Sequence, residues 1–316
     1  MSRLSQEVRQ LLQEQVTVWE LARKNYAALE EVQVKTFSFG TYTIRVQFNP
    51  ARIQSSAAKV DAKSIQERPC FLCPAHLPDV QKGLPFGEEY QILVNPFPIF
   101  PEHFTIPDYQ HTDQLIRGRY EDMLDLAQAL EEYVIFYNGP KCGASAPDHL
   151  HFQAGNKGFL PLEQDIRQVR KEAVLSDGLH TVYRMREYSR NGFLVESSSK
   201  LSAVTFFYIL YHYLEIPEGE MEPRMNILTW YEKDTWYSYI VPRDKHRPDC
   251  YFAEGEENCL ISPASVDLGG VFITPLEKDF RNITGEQIKR ILSEITISDS
   301  QMDQLVSRIQ YTKMEN

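Results

Sequence analysis

The chain has 316 residues, 42% of them hydrophobic and 24% charged, which is ordinary for a globular protein and enough for one large domain or two medium ones. A formal net charge of -11 argues against binding to a nucleic-acid polymer, which needs a basic face, but leaves room for a small anion in a local pocket. The N-terminus has no apolar signal core, the stretch 203–214 is too short to span a membrane, and five cysteines suggest no secreted-type framework, so a cytoplasmic, thiol-reducing setting is expected.

In chain order, Leu4, Val8, Leu11, Leu12, Val16 and Trp19 recur every three to five residues and predict one amphipathic helix over the first thirty residues. Tyr42, Ile44, Val46 and Phe48 then alternate behind a turn at Gly40 and Thr41, the pattern of a hairpin. A polar loop is expected over 49–69, carrying Arg52, Lys59, Lys63 and Arg68. Residues 90–106 read as two short strands broken by prolines. Residues 112–130 read as a helix with Leu115, Met123, Leu126, Ala127 and Leu130 on one side. A strand over 133–139 enters a Gly-rich turn, "HLHFQAG" (149–155) leaves it as a strand, and 161–175 reads as a helix with Leu162, Ile166 and Val169 inward. The second half offers a helix at 202–214, an aromatic hairpin at 225–243, a strand at 269–275 and helices at 284–295 and 298–309. Helix, hairpin, strand and helix thus recur in both halves, a hint of duplication.

The chemistry concentrates in "NGPKCGASAPDHLHFQ". Strand alternation would turn His149, His151 and Gln153 to one side and Leu150 and Phe152 to the other. Histidine titrates near neutrality and suits nucleophilic or proton-transfer work, and a glutamine can hydrogen-bond a phosphoryl oxygen. Glycines in the turn allow backbone N–H groups close to an anion. A polar strand face turned to solvent would look the same. Upstream, Cys70 and Cys73 form C-x-x-C, half of a zinc site that His111 and His149 would complete; a redox pair or two buried thiols are the alternatives. Lys141, Lys59, Lys63 and Arg243 are candidates to neutralise phosphate, and the aromatics Trp230, Tyr231, Trp236, Tyr237 and Tyr239 fit either a core or a base-stacking face. His103 reads as structural, Cys142 as small-residue packing, and His246 and Asp267 have no evident partner.

"RPCFLCP", "YQILVNPFPIFPEHFTIPDYQH" and "NGPKCGASAPDHLHFQ" together resemble the histidine-triad superfamily. Within it they are most similar to the branch of galactose-1-phosphate uridylyltransferases, GDP-hexose phosphorylases and dinucleotide polyphosphate phosphorylases. The resemblance implies an α+β fold of two degenerate histidine-triad-like halves, each with an antiparallel sheet flanked by helices, here divided as 1–200 and 201–316. It implies a structural zinc on Cys70, Cys73, His111 and His149, a nucleophile at His151, a phosphoryl contact at Gln153 and nucleoside contacts at Asn95 and Phe97. Asn138, Lys141, Gly143 and Ser145 would border the phosphates. Histidine-triad hydrolases carry a third histidine where this chain has Gln153, so transfer is favoured over hydrolysis. The implied ligands are a nucleotide sugar or dinucleotide with phosphate or a sugar 1-phosphate; a homodimer stays open. Two departures stand out: one extra residue separates Ser145 from His149, and the second half has no H-x-H.

Overall fold

The computed structural model describes residues 2–53, 61–178 and 180–315, so Lys59 and the middle of the expected 49–69 loop lie outside the described residues. The N-terminal helix is two, α1 (Arg3–Val18) and α2 (Glu20–Ala28), because Trp19 between them is extended. The amide of Trp19 still caps α1 on the carbonyl of Gln15, at 2.8 Å. The expected hairpin is present as β1 (Gln33–Ser38) and β2 (Thr43–Phe48). The late strand β13 (Val271–Thr274) does not stay with the second half: it pairs parallel to β2 and completes a three-stranded sheet.

The remaining strands form one sheet of ten. The first half supplies β3 (Gly83–Phe86), β4 (Tyr90–Val94), β5 (His103–Pro107), β6 (Tyr133–Asn138) and β7 (His151–Asn156). The second supplies β8 (Lys171–Ser176), β9 (Thr181–Met185), β10 (Phe193–Ser197), β11 (Met225–Glu232) and β12 (Thr235–Pro242). The order across the sheet is β3-β4-β5-β7-β6-β11-β12-β10-β9-β8. From either edge to the centre, each set therefore runs first, second, third, fifth, fourth. Each also places one long helix between its third and fourth strands, α4 (Tyr120–Ala129) and α6 (Lys200–Tyr213). This repeated order draws the sets apart between Asn156 and Lys171. It also corrects the expectation of a separate sheet in each half, since β6 and β11 pair through Ile135↔Thr229 to Asn138↔Asn226 and fuse the two sets.

Alternation along the strands divides the core between the two faces of this sheet. Ile135, Tyr137, Phe152, Ile227 and Ile240 face a cluster closed by α1, α4 and α6. Val134, Phe136, Leu228, Trp230 and Tyr239 face a second cluster closed by the small sheet. Trp230, Trp236 and Tyr239 are buried, so these strand aromatics serve the core.

Two expected helices shrink. Residues 112–119 are irregular, with Gln114 and Ile116 inward where Leu115 was expected, and α4 begins only at Tyr120. The helix expected over 161–175 is one turn, α5 (Leu162–Asp165), followed by β8. Within the 49–69 stretch, Asp61 caps a short helix, α3 (Ala62–Glu67), by accepting from the amide of Ser64 at 3.0 Å.

Candidate functional site

Cys70 and Cys73 follow α3 in a tight turn, closed by the amide of Cys73 on the carbonyl of Cys70. His111 reaches them from the segment after β5, and His149 from the end of the Gly-rich turn. The Sγ of Cys70 is 3.3 Å from His149 Nδ1, and the Sγ of Cys73 is 3.2 Å from His111 Nδ1 and 3.6 Å from His149 Nδ1. All four donor atoms lie within 4.8 Å of one another. A tetrahedral zinc with ordinary Zn–N and Zn–S bonds requires donor separations of about 3.3–3.8 Å. The set therefore fits a metal ion. His149 is already oriented for one: its Nε2–H donates to the carbonyl of Asp108 at 2.8 Å, which leaves Nδ1 as the ligand atom. Burial opposes ionisation of Cys70, but without a metal a protonated His149 and the amides of Leu72 and Cys73 prevail and bring the thiol down to about 6. Burial and the neighbouring Cys70 push Cys73 up to about 11.

His149 stands before β7 rather than on it, so the two histidines serve different places. His151 opens the strand, 3% exposed. Its Nδ1–H donates to the carbonyl of His149 at 2.8 Å, so Nε2 carries the lone pair. Burial pushes the ring down to about 4 and keeps it neutral. Gln114 clasps the same turn: its Oε1 accepts from the amide of His151 at 2.7 Å, and its Nε2 donates to the carbonyls of His151 and Asn138, each at 3.0 Å.

Gln153 lies two residues on, against His103 of β5. The amide of Ile99 donates to His103 Nδ1 at 3.1 Å, so the proton of that ring is on Nε2, which donates to Gln153 Oε1 at 3.1 Å. With its oxygen held this way, Gln153 has its amide N–H groups left as donors. His103 is structural, as expected, and the structure it provides is the orientation of Gln153. Phe100 lies so close to β7 that a Cβ on Gly155 would meet its ring at 2.4 Å, which accounts for the glycine ending "HFQAG".

A cavity of about 650 Å³ opens on this face of the sheet, lined by His151, Gln153, Asn95, Phe97, Asn138, Gly143 and Ser145 together with residues of the second half. Seven of the sequence-derived candidates thus meet there. Lys141 is exposed and does not line it. Several of the seven also hold the cavity's shape. Asn95 accepts from the amide of Phe97 and donates to Thr105; Asn138 Oδ1 accepts from Asn226 and from the amide of Ser265. Gly143 has a positive φ of 94°, and a Cβ there would meet that of Ala264 at 2.6 Å, so the turn can seat against the second half only as glycine.

Sequence reading missed the cations of this cavity. Arg52, Arg68 and Arg247 all line it. Arg52 is partly buried, desolvation pushes it down to about 10, and its Nε has no partner among the described residues. The Nε of Arg68 is likewise unpartnered, while its Nη2 reaches Asp148 at 2.9 Å and the carbonyl of Ser145 at 3.3 Å. Guanidinium groups lining a cavity supply positive charge and N–H donors for an anion. The sequence signal was present, two arginines flanking the loop before Cys70, but nothing local told them from solvated charges. Arg243, by contrast, is buried and engaged with Asn226, Pro263, Ile295, Lys245 and His246. Asp267, pushed up to about 6 by burial, accepts from the amides of Ala264 and Ile273 and fixes the far wall.

Residues 11–156 match the profile of a domain of unknown function, DUF4922, and residues 166–313 match that of the GDPGP1-like C-terminal domain, each just under half of the chain. Three crystal structures of yeast Ap4A phosphorylase Apa2 are similar over 89% of this chain. The structure of the enzyme itself has 16% identity, a TM-score of 0.56 and 94% of its length covered. Its complexes with AMP and with Ap4A have 17% identity, TM-scores of 0.56 and 0.57, and 96% and 97% covered. The chain therefore shares its overall fold with this phosphorylase. No curated protein matches the chain. Among the described residues, no helix is long and apolar enough to cross a membrane.

Proposed function

We propose that the chain is a nucleotidyltransferase of phosphorylase type. Its substrate would be a nucleoside diphosphate sugar or a dinucleotide polyphosphate, and its acceptor phosphate or a sugar 1-phosphate. The observation that carries this reading is a neutral, buried His151 whose Nδ1–H is held by a carbonyl, beside an amide-presenting Gln153, in a cavity lined by arginines. Similarity of fold to a phosphorylase crystallised with AMP and Ap4A supports it.

His151 Nε2 attacks the α-phosphorus, an N–P bond forms, and the bridging P–O bond breaks with its electron pair leaving on the phosphate ester. That leaving group is a stable anion and departs without a proton. The ring keeps its Nδ1 proton on the His149 carbonyl and carries the positive charge until an acceptor phosphate oxygen attacks phosphorus and returns the pair to Nε2. Gln153 and the arginines stabilise charge on the phosphoryl oxygens, since such transfer depends on positioning and electrostatics. A zinc ion on Cys70, Cys73, His111 and His149 would be structural, because four protein ligands leave no open position.

Incubation with α-labelled donors is expected to give an acid-labile, alkali-stable adduct on His151. Turnover should depend on phosphate and fall by at least about 10³-fold in His151→Ala. No adduct with any dinucleotide or nucleotide-sugar donor, together with unchanged turnover in His151→Ala, would sink the mechanism; phosphate-independent product formation would make the enzyme a hydrolase.

A further inference from the structure

Resting on the nucleotidyl-transfer reading, we propose that Arg247, set by Ser262 and flanked by His246, forms the subsite for the acceptor phosphate, whether inorganic or carried on a sugar. The cavity has two sources. The first half brings His151, Gln153, Arg52 and Arg68; the segment after β12 brings a second wall that includes His246, Arg247 and Ser262. Among the described lining residues of that second wall, Arg247 is the one arginine or lysine.

The side chain is positioned rather than merely present. Its Nε donates to Ser262 Oγ at 3.0 Å, and the guanidinium carbon lies 4.2 Å from the centre of the Tyr251 ring, which together set the plane of the fork. His246 adds a neutral imidazole. Burial, then Arg247, Arg243 and Lys141, push its ring down to about 3, so it contributes a hydrogen bond without a charge of its own. Lys141, the candidate that fails to line the cavity, thereby has a place: near His246.

The chemistry requires such a group. In both displacements the nucleophile and leaving group lie in line through phosphorus, so the departing phosphate ester and the incoming phosphate use the same side, away from His151. The two first-half arginines lie beside the carbonyls of Phe97 and Ser145, next to the nucleotide's expected seat. Arg247 is then the cation for the exchanged phosphate, and in a chain of net charge -11 that phosphate needs one. Filling this subsite with phosphate in preference to water makes the enzyme a phosphorylase.

The test is Arg247→Met, with Ser262→Ala as a milder variant that keeps the charge but loses its positioning. With saturating α-labelled donor, Arg247→Met is expected to accumulate nucleotidyl-enzyme, more slowly than wild type. Chasing that adduct with inorganic phosphate should need about 10- to 100-fold more phosphate for half-maximal discharge, and Ser262→Ala a smaller excess. Running the chase with a sugar 1-phosphate identifies the acceptor: equal loss for both marks a shared phosphate site. Stabilisation of the donor-free protein by inorganic phosphate, read as a rise in Tm, should be largely lost in Arg247→Met. If half-maximal phosphate and the phosphate-induced Tm rise both stay within twofold of wild type in Arg247→Met, the inference is overturned while the His151 reading stands. A wild type that is stabilised by phosphate through Arg247 yet forms no adduct would remove the His151 reading and leave the phosphate site.

Discussion

At the scale of single residues, the histidines of this chain differ mainly in what each ring nitrogen touches. His149 gives Nε2 to a carbonyl and keeps Nδ1 for the metal cluster, His151 does the reverse, and His103 spends both nitrogens to aim Gln153. The C-x-x-C and H-x-H patterns and the family resemblance singled out Cys70, Cys73, His111, His149 and His151, and the structure draws the first four together. Sequence reading took His103 only as structural and did not single out Gln114, because their roles depend on partners 50 and 37 residues away. His103 also predicts a pH effect. Burial, and then the nearby Arg52, push its ring from 6.5 down to about 3, so folding favours the neutral form. Between about pH 6.5 and 3 the unfolded chain binds a proton here that the native chain does not. The stabilising contribution is therefore full above pH 6.5 and is lost as the pH falls toward 3, by at most about 1.4 kcal/mol per unit. His103→Asn keeps an acceptor for the Ile99 amide and removes the titration. Urea unfolding of this variant across that window should show a shallower decline than wild type, and kcat should fall about 10- to 100-fold as Gln153 loses its orientation. Parallel stability–pH curves for the two proteins would refute the assignment.

At the scale of elements, β1, β2, β4 to β7 and β11 to β13 were legible, whereas β3 and β8 to β10 were not. Residues 161–175 have helical spacing, yet Lys171 and Glu172 belong to β8, an outer strand whose exposed charges blunt its free edge. Read without neighbours, such charges look like the polar face of a helix. The region joining α3 to β3 is different, since little hydrophobic core holds it: Cys70, Leu72 and Ala146 form a small cluster of their own. The four-residue metal set, together with Arg68 on Asp148 and on the Ser145 carbonyl, ties this region to the turn before β7. The protein should therefore carry one equivalent of zinc by elemental analysis. Removing it with a chelator, or by Cys70→Ser, should lower Tm by at least about 5 °C, since each kcal/mol lost shifts a chain of this size by roughly 2–4 °C. Limited proteolysis should then cut first between residues 61 and 82. Metal-free protein with an unchanged Tm and an uncleaved 61–82 segment would show that the cluster is a set of buried thiols and imidazoles only.

At the scale of the whole molecule, helix order in the sequence hinted at duplication, but the repeated strand order and the fusion of the two sets became visible only in three dimensions. Strands β8 to β10 lie in a stretch with no clear period, and pairing partners across halves leave no local trace. The fusion has a physical consequence. Beside the β6–β11 pairing sits Asn226, fully buried, whose Nδ2 donates to Asn138 Oδ1 at 2.9 Å and to the carbonyl of Cys142 at 2.8 Å, and whose Oδ1 accepts from Arg243 at 2.6 Å. The same Asn138 oxygen holds the amide of Ser265, and Arg243 reaches on to Pro263 and Ile295. One side chain thus links the Gly-rich turn, the second-half strands and the wall that carries Asp267. Asn226→Leu keeps the branched shape but strands a buried guanidinium N–H and the Cys142 carbonyl, so the unfolding free energy should drop by about 3 kcal/mol. If the ten strands are one cooperative unit, the loss cannot stay in the second half. Hydrogen exchange read by mass spectrometry should show peptides spanning β6–β7 and β11–β12 losing protection by the same factor, and at the same denaturant concentration. Loss confined to β11–β12 would mean that the halves open independently, and the cavity, with one wall in each, would then open with either of them.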